Sequence, residues 1–80
     1  MKVLERIFKE NKEYIEAIGE DEYKERIKLM IMNDFISEVM KTSKRYDIQL
    51  DIDKHEEDMP PFDKTVYVAF HIRLYYEEIL

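Results

Sequence analysis

Residues 65–76 read Thr-Val-Tyr-Val-Ala-Phe-His-Ile-Arg-Leu-Tyr-Tyr, and no other stretch limits the fold so tightly. Val66, Val68, Phe70, Ile72 and Leu74 fall on one side of an extended chain, and Tyr67, Ala69, His71, Arg73 and Tyr75 on the other. A strand with one wholly apolar face must bury it against a second layer. Upstream, Ile48, Leu50 and Ile52 alternate with Asp47, Gln49, Asp51 and Asp53, which predicts a half-buried strand. The two strands are expected to form an antiparallel hairpin. Their connection, residues 54–64, is acidic and carries Pro60-Pro61, whose missing N–H donors and fixed φ exclude a tight two-residue turn.

Before Arg45 the apolar period is near four. Leu4, Ile7, Tyr14 and Ile18, widened by Val3, Phe8 and Ile15, predict an amphipathic helix over residues 2–18. Gly19, the only glycine, stands where that helix needs a residue tolerant of positive φ. Glu20-Asp21-Glu22 then places negative charge at the start of a second helix, with Asp21 as its N-cap and a span of about residues 22–43. Tyr23, Ile27, Met30 and Ile31 point one way from this helix, and Leu29, Met32, Ile36, Val39 and Met40 nearly the opposite way. The expected fold is α+β in the order ααββ, one domain over residues 1–80. A lone two-stranded sheet is marginal in water, so a second copy is one way to complete this one.

Eighty residues leave room for one core. With no cysteine there are no disulfides and no thiolate metal sites, which suits a reducing, cytoplasmic compartment. The apolar run over residues 29–32, like every other in the chain, is too short to cross a bilayer, and the charged first residues lack a signal-peptide pattern. The composition, 45% hydrophobic and 40% charged, is that of a folded, soluble chain.

The net charge of −6 is unevenly spread. Residues 1–45 hold ten acids and ten bases, whereas residues 46–80 hold nine acids against Lys54, Lys64 and Arg73. Such a field repels nucleic acid and anionic membrane and favours a basic surface. Asp47, Asp51 and Asp53, continued by Glu56, Glu57 and Asp58, form the candidate partner-binding row. Carboxylates at two-residue steps lie roughly 6.6 Å apart along a strand, close enough to backbone phosphate spacing to imitate it. The plainer alternative is a solvated strand face whose charge blocks edge aggregation, with Asp47 or Asp51 paired to Arg73 or Lys64. Tyr67, Tyr75 and Phe62 are the candidate apolar anchors beside that row, with ordinary core filling as the alternative.

Asn11 interrupts the apolar stripe between Ile7 and Tyr14. A polar residue there can fix register between paired helices, so Asn11, Met32, Ile36 and Met40 are the candidate oligomer interface. Asp51, Asp53, His55 and Glu56 lack the several-segment arrangement of a hard-cation site, and no metal is expected. A single glycine excludes a phosphate-cradling loop. His71 has no second group set to tune it and is expected to pair across the hairpin with an aspartate. No catalytic residue and no cofactor is expected.

In size and composition this short, acidic, cysteine-free chain resembles the small antagonists that phages and mobile elements deploy against host nucleases, anti-CRISPR proteins among them. The resemblance rests on that profile and carries over no residue. It implies a viral protein acting in the host cytoplasm. The expectation is a non-enzymatic inhibitor that covers a basic, nucleic-acid-binding surface of a target protein. The alternative is a homodimeric structural or regulatory module whose acidic loop provides only solubility.

Overall fold

A computed structural model describes residues 1–41, 44–58 and 66–80. The element order is β1 (Lys2–Asn11), α1 (Lys12–Ile18), α2 (Glu20–Glu38), β2 (Arg45–Asp58) and β3 (Val66–Ile79). The expected ααββ order is therefore wrong at its start, because residues 2–11 form a strand and only residues 12–18 of the expected first helix are helical. The physical cause lies in Val3-Leu4 and Ile7-Phe8. Apolar pairs four residues apart match a helical stripe, yet they equally give an extended chain one apolar residue of each pair on either face. β-branched and aromatic side chains suit the strand, and the demand of β3 for a second neighbour decides between them.

The sheet runs β1-β3-β2 and is antiparallel throughout, so the most apolar strand lies in the middle. Leu4, Phe8, Leu50 and Ile52 flank Phe70, Ile72 and Leu74 on one face, where both helices pack. Tyr23, Ile27, Ile31 and Phe35, at four-residue steps, form the buried stripe of α2. Tyr23 meets Phe70 with ring centroids 5.0 Å apart, and Phe35 packs edge-on to Tyr46 and Tyr76 at 5.5 and 5.2 Å. Arg6 ties the edge strand to the helix layer, its Nε 3.2 Å from Asp34 Oδ2 and its Nη2 3.0 Å from Glu38 Oε1. Among the described residues, the opposite sheet face carries no helix.

Local sequence explains the joints. Asn11 ends β1 and caps α1, its Oδ1 accepting the Glu13 N–H at 2.8 Å. It is thus a cap and not the buried polar position of a longer helix. Gly19 adopts φ 93° and ψ 134°, stops α1 and is also the N-cap of α2, the role expected of Asp21. Asp21 instead lies in the first turn of α2 beside Glu20 and Glu22. The expected helix over residues 22–43 begins two residues sooner and ends at Glu38. Strand β2 runs on to Asp58, through half of what was expected to be loop, and Pro60, Pro61 and Phe62 lie outside the described residues.

Candidate functional site: the uncovered face of the sheet

The uncovered face is built by period-two alternation on three strands. It presents Val3, Glu5, Ile7 and Lys9 from β1, Tyr67, Ala69, His71, Arg73, Tyr75 and Glu77 from β3, and Asp47, Asp51, Asp53, His55 and Glu57 from β2. At its centre sits Arg73. Its Nη1 lies 2.6 Å from Asp53 Oδ2 and 3.5 Å from Asp51 Oδ2, and its Nε 3.6 Å from Glu5 Oε1. Three carboxylates therefore share one guanidinium. The Arg73 hydrogen bond holds the Asp53 carboxyl below the usual aspartate range, and the same bond raises the Arg73 value.

His71 belongs to this cluster. Its Nδ1 lies 3.0 Å from Arg73 Nη2 and its Nε2 3.7 Å from Glu5 Oε2. Asp53 is its register partner, but the nearest charged groups are Arg73 and Glu5, not the expected aspartate. A guanidinium N–H thus lies at one ring nitrogen and a carboxylate faces the other. Among the described residues no group of three or more acids and histidines is placed to hold a metal ion.

The acidic row is divided by the pleat. Asp47, Asp51, Asp53 and Glu57 share the uncovered face, whereas Glu56 takes a register position of the helix-covered side, with Ile48, Leu50 and Ile52; the side chain of Asp58 lies outside what the structure describes. Much of the charge is also answered by bases from the first half of the chain. Lys9 Nζ reaches across the central strand to Glu57 Oε2 at 2.9 Å, a path opened by the small side chain of Ala69, the β3 residue opposite Lys9. This ion pair holds the Glu57 carboxyl below its usual value. On the other side Lys12 meets Glu56 at 3.1 Å, and Lys54 pairs with Glu20.

One pair of acids is left bare. Asp47 and Glu77 stand directly opposite each other on β2 and β3, both exposed, and neither has a salt bridge to a described residue. Like charges in directly opposed positions disfavour the sheet. Glu77 lies outside the candidate row, since its place opposite Asp47 depends on the register, but the strand pattern that puts Tyr75 on the outer face also puts Glu77 there.

The remaining candidates are dispersed. Tyr67 and Tyr75 lie on the uncovered face, half-buried and eight residues apart along β3. Tyr76 instead faces the core, with Phe35 and Tyr46. Of the other tyrosines and methionines, Tyr23 lies in the core, Met32 packs partly against it, and Tyr14 and Met30 are exposed. Ile36 and Met40 are exposed on the outer side of the helix layer, well apart from Asn11 at the β1–α1 joint, so the four candidate interface residues do not form one patch. A cleft of about 490 Å³ opens beside the end of α2, lined by Glu38, Val39, Tyr46, Tyr76 and Glu78 among others, and holds none of the candidate acids of β2. No helix among the described residues is long and apolar enough to cross a membrane. Comparison with protein-family models, with curated proteins and with solved structures finds no match.

Proposed function

We propose that this chain is a non-enzymatic binding protein, an inhibitor in action, that lays the β2 side of its uncovered sheet face on a basic surface of another protein, one that otherwise holds nucleic acid. The observation carrying the reading is the bare, mutually opposed pair Asp47 and Glu77. A basic partner would remove a repulsion that the free protein leaves in place. Asp51 and Asp53 continue the same row at strand spacing, and the three carboxylates around Arg73 keep a net negative charge. Tyr75 lies beside Glu77 and Tyr67 at the far end, giving apolar area within a charged surface.

The position of the row on an edge strand supports the same reading, because a partner can approach from the side as well as from above. Among the described residues, the face that holds these acids has no helix over it. The likeness in size and composition to phage antagonists of host nucleases points to the same class of target. The charge complementarity acts chiefly on encounter rate and specificity.

The test is competition. A partner captured from lysate at low salt is titrated with a DNA or RNA duplex and with the chain, wild type or carrying Asp47→Asn, Asp51→Asn and Glu77→Gln. Mutually exclusive binding that the triple variant loses is the expected result. Simultaneous binding of nucleic acid and chain, or undiminished binding by the triple variant, contradicts the proposal.

A further inference from the structure

The two edges of the sheet differ in charge. Strand β2 carries six acids against Arg45 and Lys54, so any two-fold pairing of β2 with itself brings like charges together. Strand β1 carries Lys2, Arg6 and Lys9 against Glu5 and Glu10. Apart from these charges it carries no breaker or irregularity to protect the edge. There is no proline or glycine in it, its register against β3 runs without a bulge from Lys2↔Tyr76 to Asn11↔Tyr67, and among the described residues β3 is its only sheet neighbour.

Two hydrogen bonds show which backbone groups point outward. Glu5 O accepts from Arg6 Nη1 at 2.8 Å, and Asn11 N–H donates to Glu10 Oε1 at 3.0 Å, so the odd-numbered residues turn their N–H and C=O away from β3. Those same residues put their side chains on the uncovered face. Ile7, 63% exposed, is the middle one, and Val3 is 45% exposed at the strand start.

We infer that β1 is the contact for a second copy of this chain, the two β1 strands pairing antiparallel about Ile7. Antiparallel pairing that keeps each sheet face continuous must pair odd with odd residues. Centred on Ile7, it sets Ile7 against Ile7, Glu5 of each copy against Lys9 of the other, and Val3 against Asn11. Two attractive charge pairs then flank an apolar contact. Shifted one step toward the N-terminus, the centre brings Arg6 against Arg6 and places Glu5 against Ile7. Shifted the other way, it places Lys9 against Ile7 and draws Arg6 toward Glu10, away from Asp34 and Glu38. The Ile7 register alone satisfies the uncovered face and leaves the Arg6 clamp intact. Glu5 O has a second lone pair for the added strand.

The product is a closed, two-fold, six-stranded sheet with both helix layers on one side and an acidic β2 at each outer edge. The inference does not rest on the binding function proposed above. Pairing of β1 with β2 of another copy is also attractive in charge, but it does not close and would build open chains.

The test uses the full chain in light scattering at concentrations up to about 1 mM, the weakest association worth the name. Wild type is expected to show twice the single-chain mass. Glu5→Lys sets Lys against Lys and Lys9→Glu sets Glu against Glu, so each variant alone should have single-chain mass. Mixed, the two restore both attractive pairs, and the double mass should return. Ile7→Lys, at an exposed position, should be monomeric. Hydrogen exchange on the wild type adds a measurement independent of any variant's folding: odd-numbered β1 amides should gain protection as concentration rises. A single-chain mass for wild type, larger open assemblies, a wild-type dimer without β1 protection, or a mixture that stays monomeric each overturns the inference.

Discussion

Arg73 faces Asp51 in the strand register, yet its closest contact is diagonal, with Nη1 2.6 Å from Asp53 Oδ2. The displacement lets one guanidinium on β3 serve Asp51 and Asp53 of β2 and Glu5 of β1 at once. Arg73→Met keeps most of the aliphatic stem and removes the charge. The three carboxylates then repel one another without a cation between them. The expected outcome is a lower melting temperature in dilute buffer that recovers toward wild type as salt is added, since screening weakens repulsion among exposed charges. Thermal melts of both proteins at low and high ionic strength check it.

Acidification should act through a small set of carboxyls. Lys54 foremost, with Lys24, holds Glu20 below its ordinary 4.5, Lys9 does the same for Glu57, and Arg73 holds Asp53 below 3.8. A carboxyl whose folded value lies below its unfolded one contributes stability above the unfolded value and loses it as pH falls through the folded one. Stability should therefore be level from neutrality down to about pH 5 and fall progressively below about 4.5. Urea midpoints across that range measure it, and Glu20→Gln should flatten the fall.

Two joints separate backbone strain from lost hydrogen bonding. Nothing lies within 4 Å of a Cβ built on Gly19, so Gly19→Ala meets no obstacle, but φ 93° with ψ 134° is a conformation that alanine resists. The expected loss is about 1–3 kcal/mol. Asn11→Ala removes the acceptor for the Glu13 N–H and should cost roughly 0.5–2 kcal/mol, while Asn11→Asp should keep most of the cap. Chemical denaturation of the three variants checks both figures.

The helix layer gives a sharper contrast. Ile31 is fully buried and Leu29, two residues before it, is 65% exposed. Ile31→Ala should destabilise by about 2–5 kcal/mol, and Leu29→Ala by about 0.5 kcal/mol or less.

Much of this fold is legible from residue pattern. The period of two in β2 and β3, the Gly19 stop and the buried stripe Tyr23, Ile27, Ile31 follow from side-chain spacing alone. Strand β1 does not, because Val3-Leu4 and Ile7-Phe8 fit either period and the deciding partner, β3, lies more than fifty residues away in the chain. Two further features depend on that strand. Asn11, a polar break in a helical stripe by pattern, is the boundary between strand and helix. The charge split at Arg45 also proved partial in space, since Lys9 and Lys12 of the neutral half reach Glu57 and Glu56 of the acidic half. Parity along β2 was readable from the start, and it is parity that removes Glu56 from the face holding Asp47, Asp51 and Asp53.

The central claim is that the uncovered face, led by Asp47 and Glu77, binds a basic surface. Its most direct test is the salt dependence of affinity for the captured partner, wild type against the Asp47→Asn, Asp51→Asn, Glu77→Gln variant. Affinity that falls steeply with salt for wild type, and both weaker and flatter for the variant, is the predicted result. Equal affinities for the two, unchanged from low to high salt, would contradict it.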